Sequence, residues 1–254
     1  MDYPKIKKYI SEARLLRYEV VCHNDTRRAL KLYQANLRLS QSFYPLLALL
    51  EVVLRNALNE QLTLHFNNPE WLKNEALPNG FMSHQSLGNQ FFLQKSVQKI
   101  LRNHTDCSHG KIIADLSFGF WTDFFEKTPY KLLQGRPIQI FNKLPAGTNR
   151  HLINQKLNNI RKFRNRISHH EPIVFEKDIN GNPIFSTQEA SSIYAQMMEI
   201  FNWLDLDFDA WTRKINTVPF EIERVNLVYK KYPRWQYFFK RLHLGFQHYY
   251  NRYF

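Results

Sequence analysis

The sequence predicts an all-α fold, on three observations. Apolar residues recur at three- and four-residue spacing along most of the chain, the period of a helix with one face on a core. Only eight of the 254 residues are glycine, too few for an all-β fold rich in tight turns. One stretch departs from the helical pattern: EPIVFEKDINGNPIFST resembles a short β-hairpin or ordered loop around Asn180-Gly181. Apolar residues make up 44 % of the chain and aromatics 15 %, which supplies a packed core and excludes disorder on compositional grounds.

The elements follow in order. Residues 4–22 form a helix through Ile6, Tyr9, Ile10, Leu15, Leu16 and Val20. Asn24 or Asp25 caps a second helix over 26–66, and Pro45 inside it imposes a kink or break. NNPEWLKNEALPNG is a loop with room for one turn of helix, residues 84–103 are helical, and DCSHG ends that helix. GKIIADLSFGFWTDFFEKT reads as one apolar helix, and a loop with Pro129, Pro137 and Pro145 follows. Thr148 or Asn149 opens a helix to about His170, where Pro172 forces a stop. Residues 187–203 are helical again. The chain divides into a helical domain over 1–218 and a basic, aromatic helical extension over 219–254 packed on it.

The formal charge is +13, which attracts polyanions such as nucleic acid or an anionic membrane surface; a basic protein without such a partner fits the same number. Cys22 and Cys107 imply no disulfide framework and suit a reducing compartment. MDYPKIKKYI lacks the apolar run of a signal peptide, and YPLLALLEVVL at 44–54 carries Glu51 and is too short to span a bilayer. The expectation is a cytoplasmic protein with no membrane partner.

RNRISHHE, residues 164–171, carries the chemistry. On a helical wheel Ser168, Arg161, Asn165 and His169 share one arc with Arg164. Ile153, Ile160, Phe163 and Ile167 take the opposite side, with His170 at its border. Arginine presents a planar fork that fits phosphate oxygens. Histidine moves a proton near neutral pH, and asparagine or serine can orient an imidazole or bind a 2′-hydroxyl. The set suits transesterification at an RNA phosphodiester, with one base on the 2′-OH and cations on the developing charge. No metal or cofactor is needed. The same cations also suit a structural helix C-terminus, where the macrodipole favours them.

Other features are less specific. Glu51, Arg55 and Asn59 line one stripe of an otherwise apolar helix. They fit a paired group in a bundle core, or a Glu51 or Arg55 that reaches the polar arc and orients His169. In the tail, Lys230, Lys231, Arg234, Lys240 and Arg241 alternate with aromatics. Cations track phosphates and aromatic faces stack on unpaired bases, but Trp235, Phe238, Phe239, Leu242 and Phe246 also have the spacing of a helix packed on the body. His104, Cys107 and His109 form a possible zinc cluster that lacks an evident fourth ligand.

RKFRNRISHHEPI resembles the signature of Abi-like (abortive infection, AbiD/AbiF-type) proteins of the HEPN superfamily, an arginine followed after four to six residues by a histidine. Arg164, Asn165 and His169 match it. SQSFYPLLALLEVVLRNALNEQL is similar to the family's early helix, IIADLSFGFWTDFF to its central one, and the likeness covers roughly residues 10 to 205. The resemblance implies a HEPN-like helical bundle and a metal-independent endoribonuclease. It implies a homodimer that joins two arginine–histidine motifs, a toxin or phage-defence role, and RNA as substrate with a structured small RNA as a further partner. Arg164, Asn165 and His169 would be catalytic, with His170, Arg161, Ser168, Glu51 and Arg55 in support. The alternative is a non-catalytic module that holds a structured RNA.

Overall fold

The computed structural model describes residues 2–88, 91–104, 107–230 and 234–253, apart from the side chains at 209, 234, 235 and 251–253. These residues are predominantly helical, as expected for an all-α chain. The helices are α1 (Tyr3–Ile10), α2 (Glu12–Val21), α3 (Thr26–Phe66), α4 (Trp71–Glu75), α5 (Phe92–Asn103), α6 (His109–Asp115), α7 (Phe118–Thr122), α8 (Lys127–Leu132) and α9 (Arg150–Ser168). After a hairpin come α10 (Gln188–Trp203), α11 (Phe208–Thr212), α12 (Val218–Tyr229) and α13 (Arg234–Tyr253). The hairpin pairs β1 (Phe175–Lys177) with β2 (Pro183–Phe185), antiparallel, Glu176 opposite Ile184. Its turn uses Gly181 at φ 82°, and Asp178 Oδ1 accepts from the amides of Asn180 and Asn182, both at 2.8 Å.

Three boundaries differ from the sequence expectation. The helix expected over 4–22 is two helices, because Ser11 takes φ 85° between α1 and α2. α3 covers the expected 26–66 and does not break at Pro45; the carbonyl that loses its amide partner belongs to exposed Gln41, which water can serve. The helix expected from residue 84 begins only at Phe92. The apolar segment after DCSHG is three short helices, since Leu116 is extended and Ser117 Oγ caps α7 by accepting from Phe120 N at 3.4 Å.

The chain forms two compact units. The first comprises Met1–Leu47, Phe163–Met198 and Asp207–Phe254, so the tail belongs to it. Its core includes Leu15, Tyr18, Leu39, Phe43, Phe163, Met197 and Val225. Tyr18 meets Phe175 edge-on at 4.8 Å, and Phe43 meets Phe163 at 4.9 Å. α1 buries none of its residues. It is held by Glu19 of α2, whose carboxylate accepts from the Tyr3 hydroxyl and pairs with Lys7 at 3.2 Å.

The second unit comprises Ala48–Lys162 and Glu199–Leu206. Its core sets Leu50, Leu54, Leu58 and Leu62, one per turn of α3, with Trp71, Phe120, Trp121 and Phe124. Asn59 is its polar hub. Trp71 Nε1, which can only donate, lies 3.0 Å from Asn59 Oδ1 and so fixes the orientation of the amide. His109 Nε2 lies 3.0 Å from the same oxygen and must therefore carry the proton. Its Nδ1 is then a bare lone pair, buried without a hydrogen-bond partner among the described residues.

Burial holds the His109 imidazole below the usual range, which gives a stability prediction. A depressed histidine contributes stability that is complete above the unfolded value of about 6.5 and is lost as pH falls through the folded one. The urea midpoint should drop between pH 7 and pH 5, and drop less in His109→Leu. An equal drop in both proteins would remove His109 from the acid response.

Candidate functional site

The candidate site is the C-terminal end of α9. The helix starts where Asn149 Oδ1 accepts from Leu152 N at 3.1 Å. Its apolar stripe, Ile153, Leu157, Ile160 and Phe163, is fully buried, while Ile167, expected in the core, is half-buried. The helix ends at Ser168, two residues earlier than expected. His169 N donates to Asn165 O at 2.9 Å, and His170 adopts the left-handed conformation at φ 57°. His170 N then donates to Ile167 O at 3.0 Å and Glu171 N to Arg166 O at 2.9 Å, a Schellman termination with histidine where glycine is usual.

Side chains from elsewhere in the first unit fix this turn. Arg14 of α2 donates to His170 O at 3.2 Å. Arg166 donates to Pro172 O, pairs with Glu189 of α10 and lies 3.8 Å from Glu171. A cleft of about 450 Å³ opens beside the turn, with Arg17, Arg166, Glu171, Glu176 and Lys177 among its lining residues.

Asn165, Ser168, His169 and His170 are exposed and Arg164 is half-buried. Arg164 and Glu51 each have an interaction partner. The His169 imidazole makes no hydrogen bond among the described residues. Arg161 belongs to the second unit, where it binds Asp123 Oδ1 at 3.0 Å and Thr122 Oγ1 at 3.4 Å. Gly119 lies against it: a Cβ there would meet Arg161 Nη1 at 3.6 Å, an ordinary contact. Burial pushes the Asp123 carboxyl up, against the pull of Arg161.

Glu51 and Arg55 are half-buried and belong to the second unit, with Asn59. The expected Glu51–Arg55 pair does not form among the described residues, and Arg55 Nε is buried without a hydrogen-bond partner. In the tail, Lys230 and Lys240 line one groove between α12 and α13, whereas Arg241 lines a recess with Phe238 and Tyr249. Lys231 and the side chain of Arg234 lie outside the described residues. Phe238, Phe239, Leu242 and Phe246 are exposed rather than packed on the body, at 44 to 72 %; Trp235 has no described side chain. His104, Cys107 and His109 are separately engaged: His104 lies 3.6 Å from Asp115, Cys107 is buried, and His109 binds Asn59.

No family model, curated protein or solved structure matches the chain.

Sequence reasoning missed Arg14, Arg17, Arg166 and Lys177. Arg166 lies inside the quoted stretch, but two positions on a helix are about 200° apart, so it faces away from Arg164. The other three come from α2 and the hairpin, and no linear spacing relates them to the motif.

Proposed function

We propose that this chain is a metal-independent endoribonuclease of HEPN type that acts as a toxin or phage-defence effector. The observation that carries the reading is the end of α9, where Arg164, Asn165 and His169 follow one another beside an exposed turn tied down by Arg14 and Arg166. His169 takes the proton of a ribose 2′-OH, and the freed oxygen attacks the adjacent phosphorus. Arg164 stabilises the charge that develops on the phosphoryl oxygens. The P–O5′ bond breaks and the leaving 5′-oxygen takes a proton from water, giving a 2′,3′-cyclic phosphate and a 5′-hydroxyl, while His169 returns its proton to solvent. Asn165 orients His169 or the ribose. A second copy of the chain would bring a second motif to the same phosphate, as the resemblance implies.

Purified protein should cut single-stranded RNA in excess EDTA and leave 2′,3′-cyclic phosphate ends. Cleavage that needs a divalent ion, or ends of another kind, would overturn this chemistry. The imidazole of His169, which makes no hydrogen bond among the described residues, favours a second reading, a module that holds RNA without cutting it. Binding would then fall steeply with salt while no condition yields cleavage.

A further inference from the structure

α13 faces outward in an unusual way. Its Leu244 and His248 are half-buried, and His248 lies 4.3 Å from Phe220 of α12. On an ideal wheel that seam is about 200° from the centre of a face formed by Phe238, Phe239, Leu242, Phe246 and Tyr249. The aromatics of that face are exposed, Phe239 by 63 % and Phe246 by 72 %. A continuous apolar surface of this kind on a folded protein marks a binding site. Two recesses flank the ridge. One, about 530 Å³, lies between α12 and α13 and includes Lys230, Lys240, His243 and Phe239 in its walls. The other, about 610 Å³, has Gly245 among its lining residues, with Phe238, Arg241, Phe246 and Tyr249 around it. A Cβ added at Gly245 would meet nothing within 4 Å, so the recess is open.

Charge selects the occupant. The α13 sequence carries Arg234, Lys240, Arg241 and Arg252 and no acidic residue. A second copy laid on this face would set like charges against each other. A bilayer surface would draw cations to a common rim, but Lys230 follows the end of α12, Lys240 lies in α13, and the two line a groove with Asn226 and Gln247. Exposed cations along a groove beside exposed aromatic rings match the requirements of an unpaired polynucleotide, whose backbone needs a cationic track and whose bases need flat apolar partners.

We propose that α13 is a platform for single-stranded RNA, with phosphates along Lys230 and Lys240 and bases stacked on Phe239 and Phe246. The choice of RNA rests on the endoribonuclease reading; the platform itself rests on α12 and α13 alone. The test titrates full-length His169→Ala protein with a labelled 20-nucleotide single-stranded RNA, its blunt duplex and phosphatidylglycerol vesicles. The single strand should bind at least about tenfold more tightly than the duplex, and Phe239→Ala and Phe246→Ala should each weaken it about 5- to 100-fold. Lys240→Gln should lower the salt slope by about 0.7. Because these side chains are exposed, the circular dichroism of the variants should match that of the parent. Equal affinity for single strand and duplex would overturn the proposal, as would unchanged affinity in the Phe239→Ala/Phe246→Ala double variant. Vesicle binding lost in that double variant while RNA binding persists would overturn it in favour of a membrane surface. Phenylalanine-dependent RNA binding by a wild-type protein that cuts nothing would overturn the cleavage reading and leave the platform standing. Normal cutting with no phenylalanine dependence would do the reverse.

Discussion

Replacing His169 by alanine should remove about 10²- to 10⁴-fold of RNA cleavage, the usual contribution of a positioned general base or acid, and leave stability unchanged. The second expectation holds because the side chain is exposed and makes no hydrogen bond among the described residues. The adjacent histidine should behave oppositely. His170 sits at φ 57° and closes the Schellman turn through its backbone. Glycine tolerates that conformation without the Cβ clash, so His170→Gly should raise stability by about 0.5–1 kcal/mol and keep cleavage. Cleavage rates and urea midpoints on the two variants decide the matter. Equal loss of rate in both would make His170 a working partner, and full cutting by His169→Ala would remove His169 from the mechanism.

Phe163→Ala should be the most destabilising single change near the site, at about 3–5 kcal/mol. The ring is fully buried, meets Phe43 of α3 edge-on at 4.9 Å, and precedes Arg164 directly. Its removal leaves a cavity where the last turns of α9 rest on α3, so both the denaturation midpoint and cleavage should fall. Asn165→Ala, two positions on and exposed, should lower cleavage without moving the midpoint. A Phe163→Ala protein as stable as the parent would mean that the end of α9 is not held by this contact.

The sequence made the motif helix legible because its signals are local. Asn149 caps it, four apolar residues set its buried stripe, and Pro172 follows its stop. The hairpin was legible for the same reason, in Asn180-Gly181. Breaks at Ser11 and Leu116 were hidden, since both lie in runs whose apolar spacing reads as continuous helix and only the backbone angles there separate the pieces. Pro45 does not break α3: a proline is compatible with a long helix when the carbonyl it strands is exposed. Within RNRISHHE, the wheel sorted Arg164 from Ile167, yet nothing linear revealed that Arg166 reaches Glu189 or that Arg161 is committed to Asp123. The tail aromatics had the spacing of a buried face, and periodicity alone cannot tell a face turned inward from one turned outward.

Glu19 gives α1 a character unlike that of the other long helices. The rest of the first unit is fastened by buried apolar surface, which strong salt does not weaken. α1 is fastened by carboxylates of α2: Glu12, which lies 2.9 Å from Lys7, and Glu19, which is shared between the Tyr3 phenol and the Lys7 ammonium. Hydrogen bonds from Tyr3 and Lys7 hold the Glu19 carboxyl below its usual range, so the attachment is complete at neutral pH and weakens as acid protonates it. Electrolyte loosens the Lys7 half of the bond through screening. α1 is therefore an ionic clasp, one that a protease would find open in brine or acid while the body of the molecule stayed shut.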